Sequence, residues 1–225
     1  MAAHRARRPH RPGGTQPPAG FARRPRVHRL DRWGAEAIRE ELADLSVESY
    51  RVVPGAQFSS REEFLARLAE DVQRPGFDMM VAEAAALQGC AYGFPVGRDG
   101  AWWEGFSGAL PQHLEQLTAS GHVFALVEIM VHPHDRDHGL ARRLQGQLLA
   151  EQHASLGVVL VQEGDHEAYG SFQSWGWQEV GEIRRPTGPP VLRAMVLGLG
   201  ERTVAHPDGL AHDARTQRPE AAEDS

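Results

Sequence analysis

The rhythm of apolar and polar positions is clearest between residues 124 and 149. Val127, Ile129 and Val131 alternate with Glu128 and Met130, the period of a strand whose successive side chains point to opposite faces. Pro133 has no N–H to give a ladder, so the strand is expected to stop there. Leu140, Leu144, Leu148 and Leu149 then recur at helical spacing. The same reading predicts a strand at 27–30 and a helix at 34–50 with Ile38, Leu42 and Leu45 on its apolar face. Ser59-Ser60-Arg61-Glu62 resembles a capping box and opens a helix running to about Asp71. Two strands, 78–85 and 88–96, form a hairpin, and a loop-rich insertion at 97–121 contains a short helix near 111–118. Beyond the central strand and helix come a strand at 157–161, a helix at 167–175 capped by Asp165 and ended by Gly176, and strands at 178–184 and 191–199. A hairpin followed by strand–helix–strand implies a mixed α/β (α+β) fold: one mostly antiparallel sheet with helices on both faces.

The turn between the central strand and helix reads Arg136-Asp137-His138-Gly139-Leu140-Ala141. Gly139 and Ala141 have little or no side chain, so a ligand can approach the backbone there. Unpaired N–H groups at a helix start, at the positive end of its dipole, suit an anion. A strand carrying a carboxylate that feeds such a cradle points to a phosphate-bearing cofactor held beside a base. Val131, Pro133, Arg136, Gly139 and Ala141 together resemble motif A of the GNAT-type N-acetyltransferases, V-x-P-x-x-R/Q-x-x-G-x-G/A. The plainer reading is a strand–helix turn of some other α/β fold. Downstream, Ala168, Phe172 and Trp175-Gly176-Trp177 resemble that family's motif B, N-x-x-A-x-x-x-Y-x-x-x-G-F. Asp165 stands where the family often has Asn, Phe172 where it often has Tyr, and Trp177 replaces the usual Phe. The resemblance spans residues 26–199 and is strongest over 124–177.

The resemblance implies acetyl-CoA as co-substrate and an amine as acceptor. It implies that a backbone N–H within Ile129, Met130 and Val131 faces the thioester carbonyl. It implies that the turn Arg136, Asp137, His138, Gly139, Leu140, Ala141 and Arg142 holds the pyrophosphate, with Asp165 and Phe172 also lining the cofactor site. Glu128 is the candidate general base, since a carboxylate on an otherwise apolar strand is partly buried and its pKa raised. The alternative is a Glu paired with an Arg on an adjacent strand. Phe172 has no proton to give, so Tyr169, one helical turn earlier, or water would protonate the departing thiolate. Trp102-Trp103-Glu104 is the candidate acceptor wall, suited to a cationic amine, with Glu83 adding to an acidic lining. In the plainer reading one of these Trp packs into the core. His134 and His138, with Asp135 and Asp137 between them, raise a metal site as an alternative, but they lie in a loop with no Cys and no metal is expected.

Composition narrows the class. A chain of 225 residues, 41% hydrophobic, can bury one core, and it has no apolar run of 18 residues to cross a membrane. The one cysteine, Cys90, excludes an internal disulfide, suits the cytoplasm and reads as a small core residue rather than a nucleophile. Residues 1–26 hold seven Arg, five Pro and no acid, and 201–225 hold six acids and three Arg, so both ends are expected to be disordered around a domain at 27–200. No apolar stretch follows the basic residues, which argues against a secretory signal. Between the ends 24 acids face 14 Arg, a balance that favours a cationic partner and disfavours nucleic acid at the domain. The expected function is an acetyl-CoA-dependent N-acetyltransferase acting on a small-molecule or protein amine by direct attack. A rival is a non-catalytic acetyl-CoA or CoA sensor working through its basic arm, and use of another acyl-CoA is a weaker third. Oligomeric state is open, a homodimer included.

Overall fold

A computed structural model describes residues 24–50, 60–186 and 191–200. Of the ends expected to be disordered, 1–26 and 201–225, residues 1–23 and 201–225 lie outside the described residues, whereas 24–26 lie inside them and Arg26 opens the first strand. Seven strands form one sheet in the order β1-β2-β3-β4-β5-β7-β6. The strands are β1 (Arg26–Leu30), β2 (Asp78–Glu83), β3 (Leu87–Pro95), β4 (Val123–Val131), β5 (Leu156–Gln162), β6 (Gln178–Ile183) and β7 (Leu192–Gly198). Every neighbouring pair is antiparallel except β4 and β5, which run parallel because a helix crosses between them.

Six helices cover the faces: α1 (Arg32–Ala37), α2 (Arg39–Tyr50), α3 (Arg61–Asp71), α4 (Gln112–Ser120), α5 (Leu140–Ala150) and α6 (His166–Ser174). The single helix expected at 34–50 is two, broken at Ile38, whose φ of −107° and ψ of 18° leave the helical region. Ser60 caps α3 by accepting from the Glu63 N–H, while the Glu63 carboxylate accepts from the Ser60 N–H. Asp165 caps α6 by accepting from the Ala168 N–H. No helix among the described residues is long and apolar enough to cross a membrane.

One face of the sheet packs on α5 and α6 through Leu126, Leu144, Leu148, Val159, Phe172 and Trp177. The other face carries two clusters. The first holds α1–α3 against Met79, Cys90, Tyr92 and Met130. The second holds the 97–121 insertion, anchored by Trp103 and Leu114 against Val123, Val158 and Val196. Cys90 is fully buried in the first cluster, where burial pushes its thiol well above the ordinary range, so it packs as a small apolar residue.

Two irregularities in β4 shape the centre of the molecule. Glu128 faces Tyr92 and Leu126 faces Gly93, which leaves Val127 unmatched on β3. This bulge inverts the alternation along β4. Phe124 and Leu126 face α5, but past the bulge Glu128 and Met130 face α2 and α3. Without the extra residue, Glu128 would point to the opposite side of the sheet. The second irregularity is a parting. The β4–β5 ladder joins only Val123–Ala125 to Leu156–Val158. Beyond it β4 stays with β3 as far as Val131 and β5 stays with β7 as far as Gln162.

Candidate active site

The parting opens a cleft of about 1420 Å³ that runs across the sheet. Both facing strand edges line it, from Leu126 to Val131 on β4 and from Val159 to Gln162 on β5, together with Asp165, Phe172 and Trp175 of α6. Among the described residues no ladder joins these edges, so their inward N–H and C=O groups are open to a ligand's polar atoms. Val131 leads into a short 3-10 turn, Pro133–His138, and then to Gly139. Gly139 adopts φ 67°, a left-handed conformation that suits glycine, and a Cβ there would meet nothing within 4 Å. Among the described residues no side chain caps the N-terminus of α5, which leaves its first N–H groups for an anion.

Glu128 is buried at the middle of the cleft. The Tyr50 hydroxyl donates to its Oε1 at 2.5 Å, and the Arg67 guanidinium lies 3.6 Å from its Oε2. Burial raises the carboxyl above its ordinary value, the Tyr50 hydrogen bond and Arg67 draw it back, and Asp71 adds to the rise; the net direction is up. Tyr50 is pushed well above the usual phenol range, first by burial and then by the Glu128 charge. Asp71 is also raised by burial, while the Tyr92 hydroxyl donates to it at 3.4 Å.

No family profile matches the chain, and no curated protein matches it in sequence. Solved structures do match in fold. An acetyltransferase from Thermus thermophilus is 13% identical, with a TM-score of 0.53 over 79% of this chain and 99% of its own. A GNAT-family protein from Desulfovibrio desulfuricans is 14% identical, with a TM-score of 0.52 over 78% of this chain and all of its own. The GphF GNAT-like decarboxylase, solved in complex with isobutyryl-CoA, is 18% identical, with a TM-score of 0.54 over 78% and 100%. The chain has the GNAT fold. The expectation of a mixed, mostly antiparallel sheet covered on both faces holds.

Within this GNAT fold the residues singled out from sequence divide into those at the cleft and those away from it. Glu128, Ile129, Met130, Val131, Ala141, Asp165 and Phe172 line the cleft, as do Trp102 and Glu104. Leu140 is buried in the core beneath the turn, and Arg142 is exposed outside the lining. The side chains of Arg136, Asp137 and His138 lie outside the described residues, and with them one half of the His134 and His138 pair. Among the described residues no three His, Cys, Asp or Glu side chains gather as a metal site. His134 stacks on His132 at 5.0 Å, and His132 Nε2 lies 3.1 Å from Glu48.

Three expectations are corrected. Tyr169 does not reach the cleft: its hydroxyl donates to Glu179 at 2.7 Å, and Arg193 sits 4.7 Å over its ring. Three residues along a helix is a rotation about 60° short of a full turn, enough to aim Phe172 inward and Tyr169 aside. Trp103 is core rather than wall, 5% exposed, with Nε1 donating to Thr118 at 2.9 Å. Glu83 faces Arg26 at the β1–β2 edge, 3.8 Å from His28 Nε2, two strands away from β4.

The sequence reading missed the basic part of the lining, which includes Arg67, Arg74, Arg98 and Arg185, and it missed Tyr50. Arg67, Glu70, Asp71 and Arg74 stand at i, i+3, i+4 and i+7, a polar helical stripe that was a readable signal. Tyr50 carries none, because it lies 78 residues from the carboxylate it meets.

Proposed function

We propose that this protein is an N-acetyltransferase that moves an acetyl group from acetyl-CoA to a primary amine, by direct attack in a ternary complex. The observation that carries the proposal is Glu128: a buried carboxylate with a raised pKa, turned by the Val127 bulge into the cleft where β4 leaves β5. The residues fit the co-substrate. The open strand edges offer partners to an amide-bearing arm, and the uncapped start of α5 behind Gly139 offers N–H groups to a pyrophosphate. Acetyl-CoA, when bound, supplies an acetyl group activated as a thioester.

Glu128 takes the proton from the acceptor's ammonium, directly or through one water, so that the nitrogen lone pair can attack the acetyl carbon. The C–N bond forms as the C–S bond breaks, and CoA leaves as thiolate. A β4 backbone N–H within Ile129–Val131 stabilises the charge that builds on the carbonyl oxygen. Phe172 carries no proton, and Tyr169 is committed to Glu179. A thiol pKa of about 8.5 makes the thiolate a good leaving group with water as its proton source. Among the described residues no Cys lines the cleft, and the Ser49 hydroxyl there donates to the Val131 carbonyl, which supports a path without an acyl-enzyme.

The missing phenol also favours a second reading, an acetyl-CoA-binding sensor without turnover. Calorimetric titration with acetyl-CoA, followed by thiol release across a panel of amines, separates the two. The transferase releases CoA only with an amine present. Its Glu128→Gln variant loses turnover by about 100-fold or more while still binding acetyl-CoA. Binding with no release from any amine supports the sensor, and no binding removes both readings.

A further inference from the structure

One end of the cleft holds cations that neither the acid–base chemistry nor the co-substrate uses. Arg74 follows α3, and its Cζ lies 5.5 Å over the Phe94 ring. Arg185 follows β6, with its Cζ 5.7 Å over the Trp102 ring and an Nη2 that donates to the Trp102 carbonyl at 3.3 Å. Phe94 and Trp102 meet edge to face, with centroids 6.3 Å apart and planes at 84°. All four line the same cleft as Glu128. The rings therefore hold two guanidinium groups at one end of it.

Neither guanidinium has a carboxylate within ion-pair distance among the described residues, although Arg29, Arg61, Arg67, Arg184 and Arg193 each do. Beside the Arg185 guanidinium the Trp102 Nε1–H is buried and has no acceptor among the described residues. A buried N–H without a partner costs free energy that a ligand oxygen recovers. Two guanidinium groups without a carboxylate at ion-pair distance, one donating to the Trp102 carbonyl and the other felt by Asp71 through its charge alone, stand with an unpartnered indole N–H as a set rich in donors.

The position of this set is far from the expected pyrophosphate cradle. Phe94 is in register with Ala125, whereas Gly89 is in register with Val131, where the chain enters the turn before α5. At about 3.3 Å per residue, that separates the stack from the expected pyrophosphate cradle by roughly 20 Å along β4. Glu128, in register with Tyr92, lies between the two. A molecule that places its amine at Glu128 and runs away from that cradle has Arg74 and Arg185 ahead of it in the same cleft.

We propose that the acceptor carries an oxyanion, a carboxylate or phosphonate, in addition to its amine, and that Arg74, Arg185 and the Trp102 N–H bind it. The acceptor class is then the amino acids and their close analogues, with the ammonium at Glu128 and the acid group in the arginine fork. This rests on the acetyltransferase reading and refines the expectation of a simple cation.

The test is thiol release by the full chain with acetyl-CoA and matched acceptors: amino acids, their amides, the decarboxylated amines and the aminophosphonate counterparts. The expected result is a kcat/KM for the acid forms at least about tenfold above that for the neutral forms, which corresponds to about 1.4 kcal/mol. The aminophosphonates show whether the fork selects a planar or a tetrahedral oxyanion. Arg74→Gln and Arg185→Gln, both at exposed positions where folding is not at risk, are each expected to raise the acceptor KM about tenfold. They should also erase the preference for acid over amide and leave the KM for acetyl-CoA unchanged. Equal or better turnover of neutral amines overturns the oxyanion site and leaves the transferase standing, as does an unmoved acceptor KM in both variants. Thiol release from no acceptor overturns both.

Discussion

Glu128 holds its charge in a place that resists it, and the strength of that resistance is set by two neighbours. As the proposed base it works only when ionised, so the rate is expected to rise with pH through its raised pKa. The Tyr50 hydrogen bond lowers that pKa, so Tyr50→Phe is expected to move the acid limb of the kcat/KM profile to higher pH. A limb that stays put in the Phe variant means that another group titrates. The same balance has a cost in stability. A carboxyl whose pKa is raised by folding contributes stability at low pH, and loses it as pH rises through the folded value. Glu128→Gln is therefore expected to raise the thermal midpoint at neutral pH, with the gain vanishing in acid, while turnover is lost. Calorimetric unfolding at the two pH values checks it. The carboxylate itself was legible in the sequence, as an acid on an apolar strand. Its partners were not, because Tyr50 and Arg67 reach it only through the packing of α2 and α3 on the sheet.

At the scale of elements, alternation in the sequence gives strands their period but does not reveal where the period slips. The alternation over 127–131 predicted β4 correctly, yet the Val127 bulge that decides which face Glu128 takes is a matter of pairing with β3. A continuous apolar periodicity likewise ran through Ile38, where the helix breaks. Caps were more legible, since Ser60 with Glu63 and Asp165 with the Ala168 N–H depend on neighbours three residues away. The insertion is tied to the end of β6 by an antiparallel bridge between Phe106 and Ile183, made of two hydrogen bonds: the Arg184 N–H to the Gly105 carbonyl at 2.9 Å and the Ser107 N–H to the Glu182 carbonyl at 2.8 Å. Gly105 has φ 81°, and a Cβ there would sit 2.0 Å from the Arg184 carbonyl oxygen. Gly105→Ala is expected to push the insertion away from the strand that presents Arg185. The acceptor KM should rise while the acetyl-CoA affinity holds, and measuring both shows whether the damage stays on that side of the cleft.

Taken whole, the molecule is two half-sheets that share three residues of parallel ladder at the base of a cleft. A ligand lying between β4 and β5 binds both halves at once and binds nothing comparable in the unfolded chain. Acetyl-CoA at 100 times its Kd is then expected to stabilise the protein by about 2.7 kcal/mol, read as a rise in thermal midpoint. Amide exchange should slow along 126–131 and 159–162, and unchanged exchange there would place the ligand elsewhere. The fold was legible in outline because hairpin, crossover and closing strands follow one another in order. The width of the cleft was not, since it depends on where two ladders stop pairing.

The neighbours Trp102 and Trp103 divide two tasks between them. Trp103 is a peg driven into the core beside Leu114 and Val158, and Trp102, one peptide bond away, faces the cleft with Glu104. The loop that lines this end of the cleft is thus anchored by a residue outside the lining. Substitutions at Trp102 or Glu104 are expected to alter the choice of acceptor without loosening the anchor. Over generations such a chain is able to change its clientele while keeping its architecture, and variation among its descendants is expected to collect at the wall and spare the peg.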